Sequence, residues 1–230
     1  MSHEGRSVAL AAIYNGPDAE LGTRLWHTHI PSHMDEPLAS ACAEAVAQRQ
    51  SRPVAWKNAG SVREAWIQVV LPPPAVLVCG AGPDTEPLVA GLRALHYPVT
   101  VVDHRPAYAN IERFRGATVI SGPAASLSSS VELNRFFAAV VMSHHLESDS
   151  SYLRALSTTN LEYIGLLGPK ARRDRLLADI GAAAVDLEAR LRSPIGLDIG
   201  AITPEGIALA ILAEIHAAAA GRLGGPITRR

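Results

Sequence analysis

The sequence is short of cysteine and of net charge, and each shortage argues against a class of protein. Only Cys42 and Cys79 are cysteines among 230 residues, and Cys79 lies inside an apolar run that predicts a buried strand. A disulfide framework is therefore not expected, and a reducing compartment such as the cytoplasm fits best. The formal net charge is -1, with 21 Lys and Arg against 22 Asp and Glu, so the basic excess typical of a nucleic-acid-binding protein is missing.

Long apolar segments are missing as well. No stretch reaches the roughly 20 apolar residues that a helix needs to span a bilayer, and the first six residues contain no signal-peptide core. We therefore predict a protein without a membrane-spanning helix. The hydrophobic share of 48% and the charged share of 19% are those of an ordinary soluble globular protein.

The chain divides into two segments of different character. In residues 1–72, short apolar runs such as 7–13 alternate with turn residues, and one amphipathic helix is predicted at about 36–48. This pattern indicates a small α+β unit. The three consecutive prolines at 72–74 cannot continue a hydrogen-bonded ladder, so we place the border there and assign residues 73–230 to a second domain.

The second segment alternates short apolar runs with helical stretches, which is typical of βαβ units and a parallel sheet. About five strands are predicted, at Val76–Cys79, Val99–Val102, Ala117–Ile120, Ala138–Met142 and Leu161–Leu167. The last helix is predicted to begin after Thr203, which can cap it and which precedes a proline. The fold class is therefore a Rossmann-like α/β domain, whose ligand crevice lies at the carboxyl ends of the strands.

A glycine turn, Gly80 and Gly82, directly follows the first predicted strand of this domain and allows a ligand to approach the backbone. Asp103 ends the next strand, at the spacing where a carboxylate receives the ribose hydroxyls of a dinucleotide. However, Thr85 replaces the third glycine of the dinucleotide fingerprint, and two acids beside it would repel a diphosphate unless cations screened them. The turn is compatible with NAD binding, with another phosphate-bearing cofactor, or with a purely structural role.

A second candidate anion site follows the fifth predicted strand, where Gly165 and Gly168 lead into a helix with a cationic start. Cations at a helix amino terminus oppose the helix dipole, and a bound anion would turn this repulsion into attraction. Lys170 and Arg172 are the preferred phosphate contacts, and an arginine can bind a phosphate through two donors. The alternative is a solvated basic face paired with acids of the same helix.

Further polar residues stand at predicted strand ends and loops. His144 and Asp149 follow the fourth strand, where the histidine could act as an acid or base, contact a ligand ring or simply bond a loop. Arg105 lies beside Asp103 and could contact a phosphate or only pair with that acid. Asp198 lies in a glycine-containing loop and is either a ligand contact or a loop acceptor.

Signals for metal binding and for catalysis are weak. His27, His29 and His33 lie close together but lack the further ligands of a closed zinc site, so we predict no metal site. No Ser-His-Asp set, paired catalytic carboxylates or Cys-x-x-Cys pair is recognisable, which leaves the catalytic residues unassigned. A binding protein is therefore favoured over an enzyme.

Five segments in one order carry a family resemblance. They are GAGPDTEPL, TVVDHRPAYA, VVMSHHLESD, YIGLLGPKARRDRLL and SPIGLDIGAITPEGIALAILAEI. Together, from about Pro73 to Arg222, the chain resembles the xanthine dehydrogenase accessory family, also called XdhC or CoxI. Five ordered motifs are far more specific than one glycine turn. The positions that resemble the family are Gly80, Gly82, Asp103, Arg105, His144, Asp149, Gly165, Gly168, Arg172 and Asp198.

The resemblance implies a cofactor-handling function. It implies a Rossmann-like domain that binds molybdopterin-type molybdenum cofactor and helps insert its sulfurated form into a xanthine dehydrogenase or carbon monoxide dehydrogenase. The implied partners are the target molybdoenzyme and a cysteine desulfurase, and a homodimer is the default assembly. Two other functions stay open: an NAD(P)-binding oxidoreductase or nucleotide sensor, and an interaction module whose fold has lost its ligand.

The sequence departs from the family at its amino end. Family members usually open with a domain that holds a cysteine in a glycine-rich motif, and neither Cys42 nor Cys79 has such neighbours. The amino-terminal unit is thus expected to be a shortened one. The departure predicts that the chain binds cofactor without handling sulfur, or that it depends on a further protein chain.

Overall fold

The computed structural model describes residues 7–29, 36–58 and 60–227. Two compact units are present, Met1–Pro73 and Pro74–Arg230. Within the described ranges, no helix is both long and apolar enough to cross a membrane.

The first unit is a four-stranded antiparallel sheet with one helix. Its elements are β1 (Val8–Asn15), β2 (Arg24–Trp26), α1 (Glu36–Ala47), β3 (Arg52–Asn58) and β4 (Ser61–Val70). The strand order is β2-β1-β4-β3. Alternate residues of β1 and β4 are buried, as the period of two of a strand requires, and they pack with buried residues of α1. The predicted small α+β unit is confirmed.

The second unit is built on a parallel sheet. Its strands are β5 (Val76–Cys79), β6 (Val99–Asp103), β7 (Thr118–Ser121), β8 (Ala138–Val141), β9 (Tyr163–Leu166) and β10 (Leu191–Arg192). Neighbouring strands are all parallel, in the order β10-β9-β8-β5-β6-β7. This is the Rossmann order read from its far edge, so the predicted fold class is confirmed. A sixth strand, β10, completes the sheet beyond the five that were predicted.

Helices cover both faces of this sheet. They are α2 (Thr85–Ala94), α3 (Leu127–Ser130), α4 (Leu146–Ser157), α5 (Lys170–Ile180), α6 (Ala183–Glu188) and α7 (Pro204–Ala219). α2 and α7 pack on one face, and α3 to α6 pack on the other. Strands β5, β8 and β9 are buried along their whole length, which explains why they read as continuous apolar runs.

The topology places the ligand crevice between β5 and β8. The chain runs outwards from β5 through β6 to β7 and then crosses to β8 on the other side of β5. At such a switch point the loops that follow the two central strands separate and leave a crevice at their carboxyl ends. The last helix begins as predicted, because the Thr203 hydroxyl accepts a hydrogen bond from the Gly206 N–H at 3.1 Å.

Candidate functional site

The turn after β5 requires glycine for packing. Gly80 has a φ of +120°, and a Cβ at this position would lie 2.6 Å from the backbone nitrogen of Ser143. The turn is tied down by Thr85, whose hydroxyl donates to the Gly80 carbonyl at 3.0 Å. Thr85 therefore stabilises the turn at the place where the dinucleotide fingerprint has its third glycine.

The Asp103 carboxylate is fully buried and is bonded on both oxygens. Its Oδ2 accepts from the Ala81 N–H at 2.7 Å and from Arg105 Nη2 at 2.8 Å. Its Oδ1 accepts from the Arg105 N–H at 2.8 Å and from Arg105 Nε at 2.9 Å. Burial works against the charged form, but the bonds from Arg105 and Ala81 hold the pKa of Asp103 below its ordinary value. A ribose hydroxyl could reach this carboxylate only by displacing Arg105.

Arg105 thus takes the second of the two roles left open for it, the ion pair with Asp103. Its guanidinium carbon also lies 4.0 Å from the ring centroid of Tyr108, in a cation–π contact. Both contacts hold the arginine over the end of β6. The arginine at the place of the expected phosphate contact is thus engaged by Asp103 and Tyr108, while its side chain is 36% exposed.

Arg113 is a site residue that the sequence did not indicate. It donates to the carbonyls of Ala81 and Tyr108, each at 3.0 Å, and to the Glu86 carboxylate at 2.6 Å. The loop after β6 therefore folds back onto the glycine turn and occupies its carbonyls. No spacing in the sequence predicts this contact, since it depends on how that long loop is folded.

The acids at the start of α2 are paired with basic side chains. Asp84 contacts His144, with Oδ2 and Nε2 2.7 Å apart, while Glu86 is held by Arg113. His144 has a φ of +60°, and its side chain is 59% exposed at the end of β8. A Cβ on Gly82 would lie 2.8 Å from Asp84 Oδ1, a buried oxygen that has no hydrogen-bond partner among the described residues. The sequence suggested that these two acids would repel a diphosphate unless they were screened. In the structure, His144 and Arg113 pair with them.

On the other side of the crevice, a buried bridge links α4 to α5. Asp149 Oδ1 accepts from the backbone nitrogen of Ser143 at 3.2 Å, and Asp149 Oδ2 accepts from Arg172 Nη2 at 2.5 Å. The Asp149 side chain is 1% exposed and the Arg172 side chain is 21% exposed. Gly168, with a φ of +134°, leaves room for this bridge, because a Cβ there would lie 2.7 Å from Arg172 Cδ.

Arg172 keeps unused hydrogen-bond donors. Only its Nη2 has a partner in the part of the chain that the structure describes, so Nε and Nη1 are available to a ligand. Lys170 is exposed at the first residue of α5, two positions earlier. Asp149 holds one end of the guanidinium. Arg172 therefore loses less conformational entropy when it binds an anion.

A cavity of about 580 Å³ opens beside Gly168. It is lined by the residues that follow β9 and β10 and by two residues of α7. The lining residues are Leu167, Gly168, Pro169, the loop 194–201, Ile207 and Ala210. Asp198 is the one charged side chain among them, and it is exposed. The volume falls within the range of small-molecule sites.

The loop that forms one wall of this cavity is anchored to β9 and α7. Glu214 Oε2 accepts from the Gly196 N–H at 2.7 Å and from the Tyr163 hydroxyl at 2.6 Å. Burial and the neighbouring Glu214 raise the pKa of Tyr163, so its hydroxyl stays a donor. A Cβ on Gly165 would lie 2.0 Å from Ile195 Cδ1, so this glycine packs the wall rather than facing the crevice.

The predicted site residues thus fall into two groups. Gly80, Gly82, Asp103, Arg105 and His144 surround the turn after β5, and Asp149, Gly165, Gly168, Lys170, Arg172 and Asp198 surround the ends of β9 and β10. Across the ranges that are described, no group of three or more His, Cys, Asp or Glu side chains could hold a metal ion. His33 lies outside those ranges, and His27 accepts from the Ala9 N–H at 3.0 Å.

These features define the class of protein as a Rossmann-fold domain with its polar residues at the carboxyl edge of the sheet. Residues 76–215 match the XdhC Rossmann domain family. The chain belongs to this family, as its five ordered motifs predicted.

Known proteins that are similar to the chain include two from Bacillus species. One, from Bacillus subtilis, is described as a probable subunit of xanthine dehydrogenase and is 37% identical over 151 residues, which are 65% of this chain and 44% of that protein. The chain therefore matches less than half the length of this relative. A crystal structure described as a xanthine dehydrogenase from Bacillus halodurans matches 99% of this chain and 96% of its own, with a TM-score of 0.62. At 18% identity, the second similarity shows the fold alone.

Proposed function

We propose that this protein binds molybdopterin-type molybdenum cofactor and assists the maturation of a xanthine dehydrogenase or carbon monoxide dehydrogenase type enzyme. The observation that supports this proposal is membership of the XdhC family over residues 76–215. The proposed partners are the target molybdoenzyme and a cysteine desulfurase. We place the protein in the cytoplasm as a homodimer that acts as a binding chaperone rather than as an enzyme.

The residues around Gly168 fit the chemical groups of such a cofactor. Molybdopterin carries a phosphate, and the free Nε and Nη1 donors of Arg172 suit a phosphate oxygen, with Lys170 as a second cation nearby. The adjoining cavity is large enough for a fused ring system. When bound, the cofactor would supply the molybdenum and sulfur chemistry of the target enzyme. The residues of this chain would bind it, orient it and limit its contact with water.

Titration of the purified protein with molybdopterin tests the proposal. Arg172→Ala should weaken binding at least about 10-fold, because a charge-assisted contact to phosphate is lost. Arg175→Ala is the matched control, since it removes an exposed arginine of the same helix that lines a different groove. Because Arg172→Ala leaves the buried Asp149 unpaired, Lys170→Ala provides a second variant that leaves the bridge intact. Absence of binding of molybdopterin or of its nucleotide form would contradict the proposal.

The turn after β5 is the second place to test. Gly82→Val should leave molybdopterin affinity nearly unchanged in a folded variant if the ligand stays beside Gly168, although even a Cβ would lie 2.8 Å from Asp84 Oδ1. A loss of binding without a loss of folding would place part of the ligand over the turn. Gly122→Val is the control, since a Cβ on Gly122 meets nothing within 4 Å. Melting temperatures of both variants separate a loss of folding from a loss of binding.

An NAD(P)-binding oxidoreductase or nucleotide sensor is the second candidate. The parallel order of six strands and the glycine turn after β5 favour it. The engagement of Asp103 by Arg105 argues against it, because a ribose would have to replace an ion pair. Calorimetry with NAD, NADH and NADP distinguishes the candidates. The absence of a binding heat with all three would rule out the NAD(P)-binding function.

A further inference from the structure

We infer that the cavity beside Asp198 binds the 2-amino-4-oxopyrimidine edge of a pterin or guanine ring. This inference rests on the proposed function and specifies which part of the ligand enters the cavity. The sequence named Gly168 and Asp198 as candidate contacts, but it did not show that they line one cavity, because the lining comes from three separate elements. The loops after β9 and β10 provide two walls, and α7 provides the third.

The lining suits a flat, largely apolar ligand. Its side chains are mainly leucine, isoleucine, proline and alanine, and three glycines leave backbone surface uncovered. Aromatic heterocycles are commonly bound between such apolar walls, with a few polar groups to fix their orientation. Asp198 is the one charged side chain of the lining, so it should decide which edge of the ring is recognised.

A carboxylate selects a particular kind of ring edge. Its two oxygens accept two parallel hydrogen bonds most favourably from neighbouring N–H groups, as they do from a guanidinium. The ring N–H and the exocyclic amino group of a 2-amino-4-oxopyrimidine are adjacent and form such a pair. Adenine and nicotinamide each present a single amino group and cannot form it. No described side chain bonds Asp198, so its carboxylate is available for this contact.

The wall that carries Asp198 is held in place before any ligand binds. Two residues before Asp198, the Gly196 N–H is fixed by Glu214, and the Leu197 N–H donates to the Ala210 carbonyl at 3.1 Å. Gly196 itself has a φ of +105°, and a Cβ there would lie 3.1 Å from Ala210 Cβ. A loop fixed at these points loses little entropy when a ring enters.

Gly168 connects the cavity to the anion site. It lines the cavity, and because it has no side chain, the space next to Arg172 Cδ stays open. A ligand with its ring near Asp198 could therefore place an attached phosphate at Arg172 without crossing the sheet. Pterin and guanine nucleotides both join such a ring to a phosphate group.

Fluorescence and calorimetric titrations of the full chain test the inference. The probes are 6-hydroxymethylpterin, which lacks a phosphate, and the nucleotides GMP and AMP. We expect 6-hydroxymethylpterin or GMP to bind and AMP to bind at least about 10-fold more weakly. Asp198→Asn should weaken the binding of the recognised ring about 10-fold or more. Glu205→Gln is the control. Like Asp198, Glu205 is an exposed acid, but it lies at the start of α7 and does not line the cavity.

The outcomes separate this inference from the proposed function. Binding of GMP alone supports the inference and assigns the site to guanine, and binding of 6-hydroxymethylpterin alone assigns it to pterin. Equal affinities of wild type and Asp198→Asn for the bound ring overturn the inference, as does the absence of binding by both rings. If molybdopterin binds in that case, the proposed function stands. If a ring binds through Asp198 and molybdopterin does not bind, the inference stands and the proposed function falls.

Discussion

The two halves of the carboxyl edge of the sheet differ in how far the protein satisfies its own polar groups. Around β5 and β6, Asp103 is bonded on both oxygens, and Arg113 occupies the carbonyls of the glycine turn. Around β9 and β10, Arg172 keeps two donors, and Asp198 stands beside an open cavity. In the first, closed half, internal contacts engage Asp103 and the carbonyls of the turn, although Asp84 Oδ1 has no partner among the described residues. The second, open half keeps donors and an acceptor beside an open cavity.

This difference shows what a dinucleotide-like spacing can and cannot indicate. Gly80 and Asp103 have the positions of a dinucleotide site, and here the Asp103 carboxylate is already bonded by Ala81 and Arg105. The anion site is better sought near Gly168, where the arginine is only partly engaged. A fingerprint therefore locates the crevice but does not decide which half of it binds the ligand.

Gly80→Ala should have the largest effect on the closed half. The added Cβ would meet the backbone after β8 at 2.6 Å, and the φ of +120° is unfavourable for alanine. We expect the free energy of unfolding to fall by about 3 kcal/mol or more. Chemical denaturation measures it, with Gly122→Ala as the control. An unchanged midpoint would show that the turn is not packed as described.

Asp103→Asn tests the internal ion pair of the closed half. We expect a loss of about 2 kcal/mol at pH 7, since Arg105 loses its charged partner. The folded pKa of Asp103 is lowered, so its stabilisation is present above about pH 4 and is lost as the pH falls through the folded pKa. The difference in unfolding free energy between wild type and variant should therefore shrink in acid. A difference that stays constant as the pH falls from neutral into acid would argue against the pair.

Glu214→Gln tests the wall of the open half and should have a smaller effect. Both bonds, from the Gly196 N–H and the Tyr163 hydroxyl, end on Oε2 and would weaken when a neutral amide oxygen replaces the carboxylate, at a cost of about 1 kcal/mol. Affinity for molybdopterin should fall several-fold, because the wall is less well held. Denaturation and titration check the two effects, with Glu205→Gln as the control. A loss of stability with unchanged affinity would show that this wall does not contribute to molybdopterin binding.

His144→Gly should have the smallest effect. The variant loses an exposed contact to Asp84, worth up to about 1 kcal/mol, and gains a similar amount because glycine tolerates the φ of +60°. We expect a net change of less than about 0.5 kcal/mol. His144→Ala keeps the strain and loses the contact, so it should be the less stable of the two. The reverse order in thermal denaturation would contradict this interpretation.

Much of the fold was predictable from the sequence because it depends on local patterns. The buried runs at β5, β8 and β9 and the cap at Thr203 predicted their elements directly. β10 was missed because two residues are too few for a pattern, and it is recognised only by its pairing with β9.

The site was less predictable because its contacts join distant parts of the chain. Sequence placed Asp149 and Arg172 in one crevice, yet it did not show that they form a buried bridge. It also predicted Gly165 as a cofactor contact, while the structure packs that residue against Ile195. Arg113 and Glu214 were missed, since neither lies in a glycine turn or at a strand end.

An experimental structure of the protein with molybdopterin bound tests the central claim most directly. We expect ligand density in the open half, with the phosphate at Arg172 and the ring in the cavity beside Asp198. Asp103 should keep its bonds to Arg105 in that complex. Density over the turn at Gly80, with Arg105 displaced from Asp103, would contradict the assignment of ligand binding to the open half.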